Sequence, residues 1–312
     1  MKRSHFCMRP QLLSSTGSLV FVAANASLSC TGIDVVDVRH PDGGGRGISR
    51  GILAYAPRTL VVDDDGQGTA TDCSAGTSAF SSIQAAVNGA ASGDAIFICP
   101  GTYEEQVSVT TNDLTIRGSG ASQSIVRPHA VSATTDLNLG VPMRPILLVD
   151  HVTGVTVRDL KIDGSLVDGG APAGALCDFR SFGAYLGIYY RNSSGKVEST
   201  HVTNIRSATV CSRGFQSESN SAGASNVVLN GNVFDNYGQT GISCVRLNTI
   251  CTITGNTVRG RGPVDDEVQA GIAIRFNAVA TFNGNVIQDH YFTPRHLPGP
   301  QGASQPLRPA YY

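Results

Sequence analysis

The residues of this 312-residue chain best suited to chemistry sit in four short apolar segments with polar side chains at alternate positions. They read Gly187-Ile188-Tyr189-Tyr190-Arg191, Phe215-Gln216-Ser217-Glu218, Gly241-Ile242-Ser243-Cys244 and Gly271-Ile272-Ala273-Ile274-Arg275. With Ile188, Phe215, Ile242 and Ile272 pointing inward as strand residues, a period of two turns Tyr189, Arg191, Gln216, Glu218, Ser243, Ala273 and Arg275 outward. Arg246 stands close to the same stripe. Such a face would form a long shallow groove suited to a polymer, where rings stack on sugars and guanidinium groups pair with uronate carboxylates. Glu218, flanked by arginines, has the chemistry of an acid or base, and Arg275 or Arg191 that of a carboxylate clamp or base. Tyr189, Gln216, Ser243 and Arg246 are the candidate substrate contacts. The competing reading is an ordinary solvated sheet face.

Other polar groups are less specific. Asp265-Asp266-Glu267 lies in a loop near that stripe and would hold Ca²⁺ if its carboxylates converge, as a metal-assisted lyase requires. Arg158, Asp159, Lys161 and Asp163 alternate in sign, the pattern of weak surface pairs. Asp63-Asp64-Asp65 reads as a solvated entry turn. His129, His151, His201 and His290 are scattered one per segment, with no nucleophile–histidine–acid order. No zinc-ligand or EF-hand spacing occurs. Gly43-Gly44-Gly45-Arg46-Gly47 follows no strand pattern, so it reads as flexible rather than phosphate-binding.

The elements that position these residues are short. Between Phe80 and Gly120 a helical pattern over 82–90, with Ile83, Ala86 and Val87 on one face, breaks at Gly93-Asp94. A period of two follows: Ala95-Ile96-Phe97-Ile98, a turn at Pro100-Gly101-Thr102, Gln106-Val107-Ser108-Val109 and Leu114-Thr115-Ile116. Parallel neighbours in an open sheet need crossovers of roughly a dozen residues. These connections are too short for that, so the chain forms hairpins or coils.

Repeats favour coiling. Leu229-Asn230-Gly231-Asn232-Val233, Ile253-Thr254-Gly255-Asn256-Thr257 and Phe282-Asn283-Gly284-Asn285-Val286 share one corner, and their second asparagines recur at intervals of 24 and 29 residues. Looser copies are Val155-Thr156-Val157-Arg158-Asp159-Leu160 and Lys196-Val197-Glu198-Ser199-Thr200-His201. Such periods mark stacked solenoid coils, none of which buries its apolar face alone. The asparagines suit a structural ladder, since Asn tolerates left-handed backbone and one amide can bond the next.

The run Ser82-Ile83-Gln84-Ala85-Ala86-Val87, Gly93-Asp94 and Pro100-Gly101-Thr102-Tyr103-Glu104-Glu105 resembles the opening of secreted right-handed parallel β-helix proteins, the superfamily of pectate lyases and pectin methylesterases. With the repeats, the resemblance spans roughly 60–290. It implies an all-β fold, a single-stranded right-handed parallel β-helix with a short N-terminal capping helix, and a carbohydrate partner. It carries over no catalytic residue. The methylesterase Asp-Phe-x-Phe and Gly-Arg-Pro-Trp strings are absent, Trp is absent altogether, and the lyase pattern of clustered acidic ligands with a catalytic arginine does not map.

Composition agrees with an exported solenoid: 36 Gly, 14 Pro and 15% charged residues, with a net charge of −1 that leaves no basic surface for nucleic acid. No run is long enough to cross a bilayer. Residues 1–26 have the outline of a signal peptide, basic at Lys2, Arg3 and Arg9 and ending at Ala24-Asn25-Ala26. Residues 27–58 read as a linker, 59–290 as the β-helix domain and 291–312 as a Pro-rich tail. Among eight cysteines, the pairings Cys73–Cys99, Cys177–Cys211 and Cys244–Cys251 are expected, out of fifteen connectivities open to six cysteines. The C-terminal end of such a stack leaves strand edges and core open; either the tail folds over it, another chain covers it, as in self-association, or the reading frame is shortened. The reading is a β-helix protein, secreted, at the cell surface or in the periplasm, that binds an extracellular polysaccharide and, if it is an enzyme, modifies it as a lyase, hydrolase or epimerase. A non-catalytic glycan-binding or structural protein is the alternative.

Overall fold

The computed structural model describes the backbone of 35–37 and 50–52, and residues 55–167, 183–207, 210–265 and 268–293. It divides into two units, 1–56 and 57–312. In the first, within the stretch read as a linker, Val35–Asp37 pairs antiparallel with Arg50–Ile52. The second is a parallel β-helix.

Its strands fall into three sheets visited in turn. The first sheet holds Val107–Val109, Pro142–Asp150, Ala184–Arg191, Cys211–Glu218, Thr240–Val245 and Ala270–Arg275, with the short Thr134–Thr135 added antiparallel to Pro142–Asp150. The second holds Thr59–Val62, Ala95–Ile98, Thr115–Gly118, Val155–Arg158, Ser194–Glu198, Ser225–Asn230, Thr249–Thr254 and Val279–Asn283. The third holds Gly101–Tyr103, Ser124–Val126, Lys161–Asp163, His201–Thr203, Val233–Phe234, Thr257–Val264 and Val286–Phe292. Two expected boundaries are corrected. Gly101–Tyr103, expected as part of a turn, is a strand paired with Ser124–Val126, because the corner falls earlier and Tyr103 is drawn into the core. The last strand runs to Phe292 rather than stopping at His290.

Period-two patterning builds the core. Ile96, Ile116, Val157, Val197, Leu229 and Ile253 are successive in-register partners in the second sheet, and all are buried. Stacking like on like keeps every coil's inward methyls in contact with the next, at about 1.5–3 kcal/mol for each fully buried side chain. The helix Ile83–Gly89 adds Ile83, Ala86 and Val87 to this core. Ser82 caps its first turn by accepting from Ala85 N–H, and Glu105 accepts from the N–H groups of Ile83 and Gln84. Within the first-sheet strands, Gly187, Gly214 and Gly241 stand in line. A Cβ on each would lie 2.5, 2.7 and 2.8 Å from the carbonyl oxygen of the next glycine in the column, ending at Gly271. That clearance explains the recurrent glycine before Ile188, Phe215, Ile242 and Ile272.

The asparagine corners form a ladder. Asn232 Nδ2 donates to Asn256 Oδ1 at 2.9 Å, and Asn256 Nδ2 to Asn285 Oδ1 at 2.9 Å. Each amide also reaches the coil before it, at Val197 O, Leu229 O and Ile253 O. The left-handed backbone belongs to the preceding residue, not to the ladder asparagine: Gly231, Gly255 and Gly284 have φ of 65°, 64° and 62°. Asp159 and Ser199 adopt the same conformation in the earlier coils, which is why those copies look looser in sequence.

Disulfides Cys73–Cys99 and Cys244–Cys251 are formed. Cys211 is also disulfide-bonded, and its expected partner Cys177 lies outside the described residues.

Candidate functional site

The first sheet aligns its outward side chains in two rows that cross the coils. One row runs Leu148, Tyr189, Gln216, Ser243, Ala273, and the next runs Asp150, Arg191, Glu218, Val245, Arg275. Ile188, Phe215 and Ile242 face the core. Neighbouring strands are about 4.8 Å apart, so side chains within a row touch. Tyr189, Gln216, Ser243 and Glu218 therefore share one face.

That face is not the open, solvated groove expected from sequence. Tyr189, Gln216, Ser243 and Glu218 are all buried, Glu218 to 1% exposure. Part of the reason is apolar: Met143, Leu148, Ala184, Leu186, Tyr189 and Cys211 form a second cluster on the outer surface, joined by Val141. The rest is a loop. Residues between Ser124–Val126 and Pro142–Asp150 fold back over the sheet and bring Asn138 onto Glu218.

Glu218 is the centre of a polar network. Its Oε2 accepts from the Tyr189 hydroxyl at 2.8 Å and from Gln216 Nε2 at 2.9 Å, and its Oε1 accepts from Asn138 Nδ2 at 2.6 Å. Gln216 in turn accepts from an Arg213 guanidinium N–H. Arg246 Nε stands 3.9 Å from Glu218 Oε1 and makes no hydrogen bond among the described residues. The Arg246 guanidinium lies over the Phe276 ring, 4.6 Å from its centroid. Burial pushes the Glu218 carboxyl above its ordinary range, against the pull of the Tyr189 and Asn138 hydrogen bonds, and the nearby Asp136 charge pushes the same way. Burial and the Glu218 charge also hold the proton on Tyr189. Asp136 Oδ2, Thr240 Oγ1 and Ser243 Oγ are buried without hydrogen-bond partners among the described residues. The arrangement can store and release a proton at Glu218, and it holds a guanidinium beside it.

The other expected residues are placed differently. Arg191 is engaged by Asp150 through two hydrogen bonds, Nε to Oδ1 at 2.7 Å and NH2 to Oδ2 at 2.6 Å, and also meets Thr134 and Thr135. It does not reach Glu218 by any hydrogen bond, so the expected flanking of Glu218 by arginines reduces to Arg246. Arg275 is exposed at the end of its row. Asp265 is described and half-buried, whereas Asp266 and Glu267 lie outside the described residues. Asp63 is close to Cys73 and Cys99, but those cysteines are joined to each other, which leaves no thiolates for a metal. Arg246 has a φ of 83°, but His151, Asn192 and Phe276, each following a first-sheet strand, also have positive φ. The left-handed turn is a property of that corner, not of the site.

Asp150, Asn138, Asp136 and Arg213 were missed. Asp150 carries a legible signal, because Leu147-Leu148-Val149-Asp150 alternates as Ile188-Tyr189-Tyr190-Arg191 does, and the two segments are in register. Asn138 carries none: it lies in an irregular loop 80 positions from its partner.

No family model and no curated protein matches this sequence. Solved structures with a similar chain course include a pectin methylesterase from Erwinia chrysanthemi, at 11% identity and a TM-score of 0.40, covering 77% of this chain and 81% of that one. A lacto-N-biosidase from Eubacterium ramulus has 14% identity and a TM-score of 0.40 over 75% of this chain and 55% of that one. An alginate lyase from Paenibacillus sp. str. FPU-7 has 16% identity and a TM-score of 0.31 over 76% and 99%. The overlaps are loose, and the fold stands on the strand pairing described above.

Proposed function

We propose that this β-helix protein engages an acidic polysaccharide at the outer face of its first sheet, with Glu218 as the acid–base group and Arg246 meeting a uronate carboxylate. The observation that carries the reading is the Glu218 carboxyl itself. It is buried, served by three neutral donors and raised above its ordinary range. A buried carboxyl held by neutral donors and raised above its ordinary range is suited to proton transfer. Arg246, with Nε free of hydrogen bonds among the described residues, offers the positive charge that a carboxylate-bearing sugar requires. Ser243 and Thr240 add buried hydroxyls without hydrogen-bond partners among the described residues, which sugar hydroxyls satisfy. Tyr189 and Gln216 hold Glu218 in place.

Arg191 belongs to this scheme as a positioning residue fixed by Asp150, and Arg275 as an exposed cation where a polymer leaves the face. Asp265, with Asp266 and Glu267, is the proposed seat for Ca²⁺, which would acidify the proton beside the uronate carboxylate. Calorimetric titration with no Ca²⁺ heat removes that part alone. The formed disulfides favour an oxidising compartment, hence a secreted, cell-surface or periplasmic location. Among the described residues no helix is long and apolar enough to cross a membrane.

A second reading, a non-catalytic glycan-binding protein, is favoured by the completeness of the Glu218 hydrogen bonding. A screen of acidic polysaccharides for ultraviolet-absorbing unsaturated uronate and for new reducing ends separates the two. Turnover that disappears in a folded Glu218→Gln variant supports the enzyme. Retention on a glycan array without turnover supports the binder, and neither signal on any acidic glycan removes the proposal.

A further inference from the structure

The core of the stack is open at its last described coil. Phe282 pairs in register with Ile253, and Ile287 with Val258. Ile253 and Val258 are fully buried, yet Phe282 is 55% and Ile287 51% exposed. Both occupy the inward position of the coil, and among the described residues no next layer covers them. The strands Ala270–Arg275, Val279–Asn283 and Val286–Phe292 are each the terminal strand of their sheet, so among the described residues three edges present unpaired backbone groups together. The asparagine ladder is open at the same place. Asn232 N–H and Asn256 N–H each donate to the next asparagine, whereas Asn285 N–H meets no further rung among the described residues.

We propose that this end is seated on the same end of a second copy of the chain. Phe282 and Ile287, with the neighbouring exposed Tyr291 and Phe292, offer roughly 400 Å² of apolar surface per copy, taking about 150–250 Å² for each aromatic side chain at half exposure and less for the aliphatic. With the three strand edges beside them, that is a substantial share of the ~800 Å² per partner of a standard stable interface. A lone peptide strand would satisfy one edge and leave two. A second copy brings three edges with the same spacing. A two-fold axis through one face sets that face's strand antiparallel to its own copy and exchanges the other two, so the contact closes as an isologous pair. The open inward positions of the second-sheet and third-sheet strands are Phe282 and Ile287, both apolar, while His290 is turned toward the buried Tyr237.

Sedimentation velocity of the full chain over a hundred-fold dilution, with amide hydrogen exchange at both ends of the series, tests this. The expected result is a dimer that dissociates on dilution while exchange accelerates at least ten-fold within 270–275, 279–283 and 286–292 and stays constant elsewhere. A Phe282→Glu variant should raise the dissociation constant at least ten-fold. The exchange result does not depend on that variant folding. A monomer at every concentration overturns the proposal, and slow exchange at those strands in the monomer assigns the end to the chain's own segments. A dimer whose dissociation leaves those amides unchanged also overturns it.

Discussion

Asn138 Nδ2 lies 2.6 Å from Glu218 Oε1 and 3.2 Å from Ser219 O, so one loop side chain is fastened to both the carboxyl and the backbone of the strand it covers. The same loop supplies Asp136, whose Oδ1 accepts from Leu139 N–H at 2.6 Å and so shapes the turn that presents Asn138. The cover and the carboxyl are one unit, and any ligand that reaches Glu218 must displace Asn138.

Asn138→Ala should therefore weaken the fold modestly and open the site strongly. Loss of a hydrogen bond to a charged acceptor costs about 1.5–3 kcal/mol, or about 3–12 °C in Tm at the 2–4 °C per kcal/mol of a large domain. Carbodiimide labelling of Glu218, read by peptide mass spectrometry, should accelerate several-fold. Unchanged labelling would mean that the loop does not control access.

The pH dependence of stability should carry the sign of a raised carboxyl. The folded chain keeps the Glu218 proton at a pH where the unfolded chain, at about 4.3, has released it. Stability is thus lost as pH rises from the ordinary glutamate value through the folded one. In Glu218→Gln that decline should vanish, so the variant gains on the parent in denaturant midpoint as pH increases. A parallel pair of pH curves would show the carboxyl to be ordinary.

Asp150 has the opposite sign. Burial alone would raise it, but the hydrogen bonds and charge of Arg191 outweigh that and lower it. Its contribution is complete above the ordinary aspartate range and is lost as pH falls through the depressed folded value. Asp150→Asn should cost about 3 kcal/mol at neutral pH, since it strands a largely buried guanidinium, and should flatten the acid limb of the stability curve.

The ladder gives a prediction independent of any function. Asn256 accepts from Asn232 N–H and Nδ2 and donates to Leu229 O and Asn285 Oδ1. Asn256→Ala leaves several buried groups unpaired at about 1–3 kcal/mol each, and should destabilise by about 3 kcal/mol or more in urea unfolding. A loss below about 1 kcal/mol would mean that the ladder is ornamental to stability.

The fold was legible because its causes are local and repeated. Inward Ile, Val or Leu recur coil after coil, the first-sheet glycine recurs in the last four first-sheet strands and the corner asparagine in the last three coils, so Gly231-Asn232 and Gly255-Asn256 announce the stack by themselves. Where the left-handed residue is Asp159 or Ser199 instead of Gly, the same corner is nearly silent, although its backbone is identical. The site was legible only as a direction. Period two turned Tyr189, Gln216 and Glu218 outward, but their burial depends on Asn138 and on the apolar cluster around Met143 and Leu186, which arise from an irregular loop and from unequal coil lengths. Arg191 looked free for the same reason: its partner Asp150 lies one coil away, across a segment 41 residues long.

The most direct measurement is a crystal structure with an acidic oligosaccharide selected by its binding in solution. The account predicts a uronate carboxylate at Arg246, a sugar oxygen within hydrogen-bond distance of Glu218 and Asn138 moved off the carboxyl. An oligosaccharide bound on the second or third sheet, with the Asn138–Glu218 contact intact, would contradict it.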